Sequence, residues 1–181
     1  MPDTILDPTG LKADATPLTG LAPRPDSLAG LRLGLLDNTK HNAMLFLRTL
    51  GELLVAEEDV AEVSIVETKQ NFSVPVDEEI IGRYREACDV VITAIGDCGS
   101  CSAAAVADGI NFERAGLPAA VIVTDAFLTT GEMMAKMQGA PEYEWITTEH
   151  PMAVLNEEEV RQRARRHLPQ VVATLTTGGG A

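Results

Sequence analysis

A chain of 181 residues with 27 acidic and 14 basic side chains, a net charge of −13 and 45% apolar residues is sized for one α/β domain with a real core. The charge argues against a nucleic-acid partner, whose phosphates require basic surface, and no apolar run approaches the roughly 18 residues that a membrane span needs. Three cysteines are too few for a disulfide scaffold. Met1-Pro2-Asp3-Thr4 opens no basic region followed by an apolar stretch. The expectation is therefore a cytoplasmic protein in which a cysteine cluster serves catalysis or redox chemistry.

Residues 1–30 read as an extended, proline-rich arm. Pro2, Pro8, Pro17, Pro23 and Pro25 block helix interiors and central strands. Ile5, Leu6, Leu11, Leu18, Leu21 and Leu28 are spaced as anchors onto the domain or onto a second subunit, so a homodimer formed through the arm is expected. Residues 31–175 form the single α/β domain, and residues 176–181, ending in three glycines, a flexible tail.

Within the domain, Leu31-Arg32-Leu33-Gly34-Leu35-Leu36 is a short apolar run closed by Asp37-Asn38, a buried strand and its turn. Residues 42–55 carry Leu45, Phe46, Leu50, Leu53 and Leu54 at helical spacing. A strand over 62–67 and a helix over 77–87 follow. Residues 89–95 are almost wholly apolar, as a central parallel strand covered on both faces should be. A helix is expected from about Ser102 to Ala115, stopped by Gly116 and Pro118. Then come a strand over 119–124, a helix over 129–137 with Met133, Met134 and Met137 in the core, and a strand over 143–147. A last helix is capped by Asn156 and led by Glu157-Glu158-Glu159, which suits the positive end of its dipole. Pro169 should kink that helix.

Strands alternating with helices predict a three-layer, doubly wound sandwich with a mainly parallel sheet of four or five strands in flavodoxin-like order. Ligands bind such folds outside the carboxyl ends of the strands, where the strand order reverses. That edge collects Asn38, Lys40 and His41 after the first strand, Lys69 after the second, Cys98-Gly99-Ser100-Cys101-Ser102 after the third, Asp125 after the fourth, and His150-Pro151 after the fifth.

Cys98-Gly99-Ser100-Cys101 is the strongest single signal. Two thiols at i and i+3 at a helix start face unpaired N–H groups, which favour thiolate over thiol. Cys98 is the candidate nucleophile, Cys101 its resolving partner, and Gly99 allows close approach of a ligand. Two other readings stay open: an open zinc site from Cys98, Cys101 and His150, and two small buried residues at a tight turn. His150 is placed to donate or accept a proton. Lys40 and Lys69 are placed to hold a carboxylate or lower a thiol pKa. Asp97 and Asp125 are candidates to orient the site, although an acid beside Cys98 raises its pKa. Cys88, at the opposite end of its strand, reads as core filler. His167, among Arg163, Arg165 and Arg166, reads as solvated. No nucleotide fingerprint is present.

Gly96-Asp97-Cys98-Gly99-Ser100-Cys101-Ser102, with Asp108 and Glu113 in the following helix and then Ala115-Gly116-Leu117-Pro118, resembles the UGSC family. That family is named for a motif in which selenocysteine or cysteine leads Gly-Ser-Cys. Gly34-Leu35-Leu36-Asp37-Asn38-Thr39-Lys40-His41-Asn42-Ala43 is similar to the family's first strand and loop, with His41 where proline is more usual, and His150-Pro151 matches a late His-Pro. The resemblance puts Cys98 at the selenocysteine position, which implies redox or nucleophilic chemistry there. More distantly, the arrangement is similar to the selenoprotein subunits of glycine and sarcosine reductases.

The expectation is a thiol-dependent oxidoreductase or lyase. Cys98, Cys101 and His150 are its catalytic candidates, and Asn38, Lys40, His41, Gly99, Ser100, Ser102 and Asp125 are its substrate-binding candidates. The substrate is a small electrophilic molecule, a separate thiol protein is the possible reductant, and no cofactor is required. The alternatives are a lyase or hydrolase using Cys98 without a redox cycle, and a metal-binding or redox accessory subunit.

Overall fold

The computed structural model describes residues 17–177. Alternation of apolar runs resolves there into β1 (Arg32–Asp37), α1 (Ala43–Glu57), β2 (Glu62–Thr68), α2 (Glu78–Ala87), β3 (Val90–Gly96), α3 (Gly99–Arg114), β4 (Ala119–Thr124), α4 (Leu128–Met137), β5 (Ile146–Thr148) and α5 (Glu157–Leu175). The five strands are all parallel, in the order β2-β1-β3-β4-β5. The expected doubly wound sandwich and its flavodoxin-like order are both present, and the order reverses between β1 and β3.

Burial explains the layers. Leu33, Leu35, Ile92, Ala94, Ala120 and Ile122 face α1 and α5, packing on residues such as Phe46, Leu50, Val160 and Leu168. On the other face, Leu36 and Val91 meet Tyr84 and Phe112 of α2 and α3, and Val121 and Val123 meet Ala105, Val106 and Ile110 of α3. Gly34 lets α2 close on the sheet: a Cβ there would stand 2.7 Å from Cys88 Sγ and 2.9 Å from Tyr84. Cys88 is core filler, as expected, and burial pushes its thiol up to about 12.

Local signals set most helix ends. Asp77 and Asn156 cap α2 and α5 through their side chains, and Asn156 forms a full capping box with Glu159. α5 continues through Pro169 to Leu175. Three expectations need correction. α3 starts three residues earlier than Ser102, because Cys98 supplies the cap. β5 is only Ile146–Thr148. Met133 is 54% exposed, since α4 turns it away from the core.

The described part of the arm lies on its own domain, at the amino ends of the strands. Leu28 is buried there, whereas Leu21 is 55% exposed. The main fastening is Glu113, buried in α3. Arg24 donates to both of its oxygens (2.8 and 2.9 Å), and the N–H groups of Ala22 and Ala119 donate to the same carboxylate. Arg24 Nε also reaches the Thr174 carbonyl, and Thr177 N–H reaches that of Pro25. Thr176 and Thr177, the first two residues of the expected tail, are thus held by Val172 and Pro25. Residues 1–16 and 178–181, with Ile5, Leu6, Leu11 and the three glycines, lie outside the described residues. No helix is long and apolar enough to cross a membrane among those described.

A second buried ion pair joins the sheet's carboxyl edge to α3. Lys69 Nζ is 2.7 Å from Asp108 Oδ2, with both side chains almost fully buried, and Val76 N–H donates to the other oxygen. Burial pushes the Asp108 carboxyl up to about 6, against the pull of Lys69 and Val76. A folded-state value above the unfolded one means that this carboxyl favours the folded state as pH falls and costs stability as pH rises through about 6. Lys69→Met strands the carboxylate, so the variant should lose about 3 kcal/mol at pH 7.5. Urea unfolding should show a clearly smaller deficit at pH 5; an equal deficit at both pH values contradicts this account.

Candidate functional site

The site is built where β3 runs out. Asp97 ends the buried stretch, and Cys98 adopts extended backbone as the N-cap of α3, its Sγ accepting the Cys101 N–H at 3.3 Å. The sulfur thus sits against first-turn N–H groups that have no intrahelical acceptor. Cys98 and Gly99 are half-buried, Ser100 is exposed with its Oγ 3.7 Å from Cys98 Sγ, and Cys101 is fully buried. The Cys98 and Cys101 sulfurs are joined as a disulfide, with Cα atoms 5.3 Å apart.

Two contacts hold this turn in place. Asn38, at the end of β1, donates from Nδ2 to the Cys101 carbonyl at 3.0 Å. Gly96 allows β3 to approach α3: a Cβ there would stand 2.8 Å from Ser102 Cα. Asn38 and Ser102 are both fully buried, with Asn38 Oδ1 and Ser102 Oγ lacking a partner among the described residues. Both lie against the turn that carries the cysteines, Asn38 through the Cys101 carbonyl and Ser102 against Gly96.

The other expected residues divide. His150 comes to Cys98's neighbour: its Nδ1 is 2.8 Å from Asp97 Oδ1 and its backbone N–H donates to Asp125 Oδ1 at 3.0 Å. Asp125 is thus engaged in holding the His150 loop. Phe127 meets the imidazole edge-on at 5.3 Å. Lys40 lies over the Phe72 ring at 5.0 Å, and His41 is exposed. Neither contacts the cysteines. Lys69 is not available for a ligand carboxylate or a thiolate, because Asp108 holds it. His167 is not solvated: it is partly buried, its Nε2 lies 2.9 Å from Thr148 Oγ1, and burial with Arg166 and Arg163 lowers its pKa. No group of three His, Cys, Asp or Glu is placed to hold a metal among the described residues.

Sequence reasoning missed Asn42 and Thr124. Asn42 is left-handed (φ 71°) and makes no cap; its Nδ2 instead bonds the Met152 and Leu155 carbonyls, both at 2.9 Å, tying the β1–α1 loop to the His150 loop. The available signal was an Asn in a strand-to-helix turn, which reads equally as a cap. Thr124 is a fully buried hydroxyl ending an apolar strand, 3.3 Å from His150 Nδ1. Two hollows lie elsewhere among the described residues. A cleft of about 910 Å³ sits between the arm, Trp145 and α5, and one of about 330 Å³ lies beside Thr68 and Arg83.

A family model described as the UGSC family matches residues 4–177. The chain belongs to the UGSC family. Among solved structures, a de novo designed protein of the PLOOP2X3_50 fold is similar at 14% identity, with a TM-score of 0.40, over 78% of this chain and 93% of the designed one. No curated protein matches the sequence.

In this UGSC-family chain the exposure of the three thiols differs enough to be read chemically. Iodoacetamide at pH 7, applied to the reduced native protein, should label Cys98 first, Cys101 slowly and Cys88 only after unfolding. Peptide mass mapping checks this, and Cys88 labelling at the rate of Cys98 contradicts it.

Proposed function

We propose that this UGSC-family protein is a thiol-dependent oxidoreductase that reduces or reductively cleaves a small electrophilic substrate at Cys98. The supporting observation is the sulfur of Cys98 at the α3 N-cap, half-exposed and within bonding distance of the buried Cys101 sulfur. A nucleophile with a resolving thiol one helical turn away is the arrangement that dithiol chemistry needs. The motif resemblance, which implies a selenocysteine-or-cysteine position at Cys98, points the same way.

The cycle balances as follows. The Cys98 thiolate attacks the electrophilic atom of a substrate R–X. The S–R bond forms, the R–X bond breaks, and X departs with the electron pair and takes a proton from His150. The Cys101 thiolate then attacks the Cys98 sulfur. The S–S bond forms, the S–R bond breaks, and R leaves with its electron pair and is protonated. The substrate gains two electrons and two protons, the dithiol becomes the Cys98–Cys101 disulfide, and an external dithiol reductant restores it. Developing negative charge on the substrate is met by the N–H groups of Gly99 and Ser100. Asn38 supports the same turn by donating from Nδ2 to the Cys101 carbonyl. A homodimer and a separate thiol protein as reductant belong to the same proposal.

Hydroxyethyl disulfide is a suitable probe. In the absence of added reductant, the reduced wild-type protein should release both halves as thiol and end as the internal disulfide. Cys101→Ser should release one half and keep the other on Cys98, and Cys98→Ser should release neither. Thiol titration and intact mass read the outcome. Unimpaired release by Cys98→Ser overturns the proposal. Release of both halves by Cys101→Ser would contradict Cys101 as the resolving thiol.

A further inference from the structure

We propose that Asp97 is the positioning residue of the site, fixing His150 as the Nδ1–H tautomer so that Nε2 is the ring nitrogen that exchanges a proton at Cys98. The proposal rests on the dithiol reading for its catalytic consequence, and on geometry alone for the tautomer. Two oxygens face His150 Nδ1: Asp97 Oδ1 at 2.8 Å and Thr124 Oγ1 at 3.3 Å. Asp97 Oδ1 already accepts the Met152 N–H at 3.4 Å, and a carboxylate has no proton to give. The Thr124 hydroxyl donates its hydrogen to the Gly96 carbonyl at 3.1 Å, which leaves its oxygen as an acceptor. Both neighbours of Nδ1 are acceptors, so the ring proton belongs on Nδ1. Nε2 has no protein partner among the described residues, and the side chain is 35% exposed.

The loop that carries the ring is held unusually well for an exposed connection. Asp125 takes the His150 N–H, Arg163 donates to the Glu149 carbonyl, and Asn42 holds the Met152 and Leu155 carbonyls. Asp97 itself is buried, with a side chain 3% exposed, and it is the residue before Cys98. One peptide unit therefore links the nucleophile to the group that orients its proton donor.

The test uses ¹⁵N NMR of the imidazole nitrogens in the reduced full-length protein, at a pH where the ring is neutral, with His150→Gln to assign the signals. His150 in the wild type should be the Nδ1–H tautomer, and Asp97→Asn should shift it toward Nε2–H. In the hydroxyethyl disulfide reaction, Asp97→Asn should slow thiol release about tenfold or more and add nothing in a His150→Gln background, as expected of a group acting through a proton donor. A wild-type Nε2–H tautomer, or an equal loss from Asp97→Asn in the His150→Gln background, overturns the proposal; the wild-type spectrum decides even where a variant fails to fold. Absence of thiol release by the wild-type protein, with the Nδ1–H tautomer intact, would instead sink the dithiol reading.

Discussion

The close meeting of β3's end with the first turn of α3 is the constraint on which the rest depends. Gly96 has no Cβ to keep the helix away, Asn38 pulls the Cys101 carbonyl toward β1, and Cys98 caps the helix with sulfur rather than oxygen. Oxygen caps are usual because they satisfy orphan donors at little cost. A sulfur in that role is a weaker acceptor, but it is a nucleophile, and the helix end that it satisfies also stabilises its anion. The same turn brings the Cys101 sulfur to it from below. Asp97, one residue earlier, reaches the His150 ring.

The two ends of the sheet are fastened by separate buried charges. At the carboxyl edge, Lys69 and Asp108 join the loop after β2 to the middle of α3; at the amino edge, Arg24 and Glu113 join the arm to its end. Both pairs anchor on α3. Buried pairs of this kind add little net stability but penalise any arrangement that separates them. The helix that carries the cysteines is thereby fixed along its length, while its first turn stays open to solvent at Ser100.

Much of the fold could be read from local pattern, because local pattern causes it. The wholly apolar run of β3 marks a strand covered on both faces, Gly116 and Pro118 stop α3, and Asn156 with three glutamates starts α5. The cysteine pair was legible for the same reason: i, i+3 spacing at a strand-to-helix junction is a local fact, and the surrounding residues carry the family resemblance. The partners of charged side chains were not legible. Lys69 finds Asp108 across 39 positions and Arg24 finds Glu113 across 89, distances at which sequence holds no pairing signal. His167 was misread because its arginine neighbours suggested solvent, whereas the Thr148 hydroxyl and the Phe46 ring take it in. The burial of Asn38 and Ser102, and the bond from Asn38 to the Cys101 carbonyl, carry no local signal either.

The central claim is that Cys98 and Cys101 interconvert reversibly between dithiol and disulfide in the native protein. Equilibration with glutathione buffers of graded redox state, followed by acid quench, alkylation and intact mass, tests it most directly. The account predicts a single two-electron transition confined to Cys98 and Cys101, with Cys88 reduced throughout. A protein that keeps both thiols in fully oxidised glutathione, or that accumulates glutathione on Cys98 without closing the internal disulfide, would contradict it.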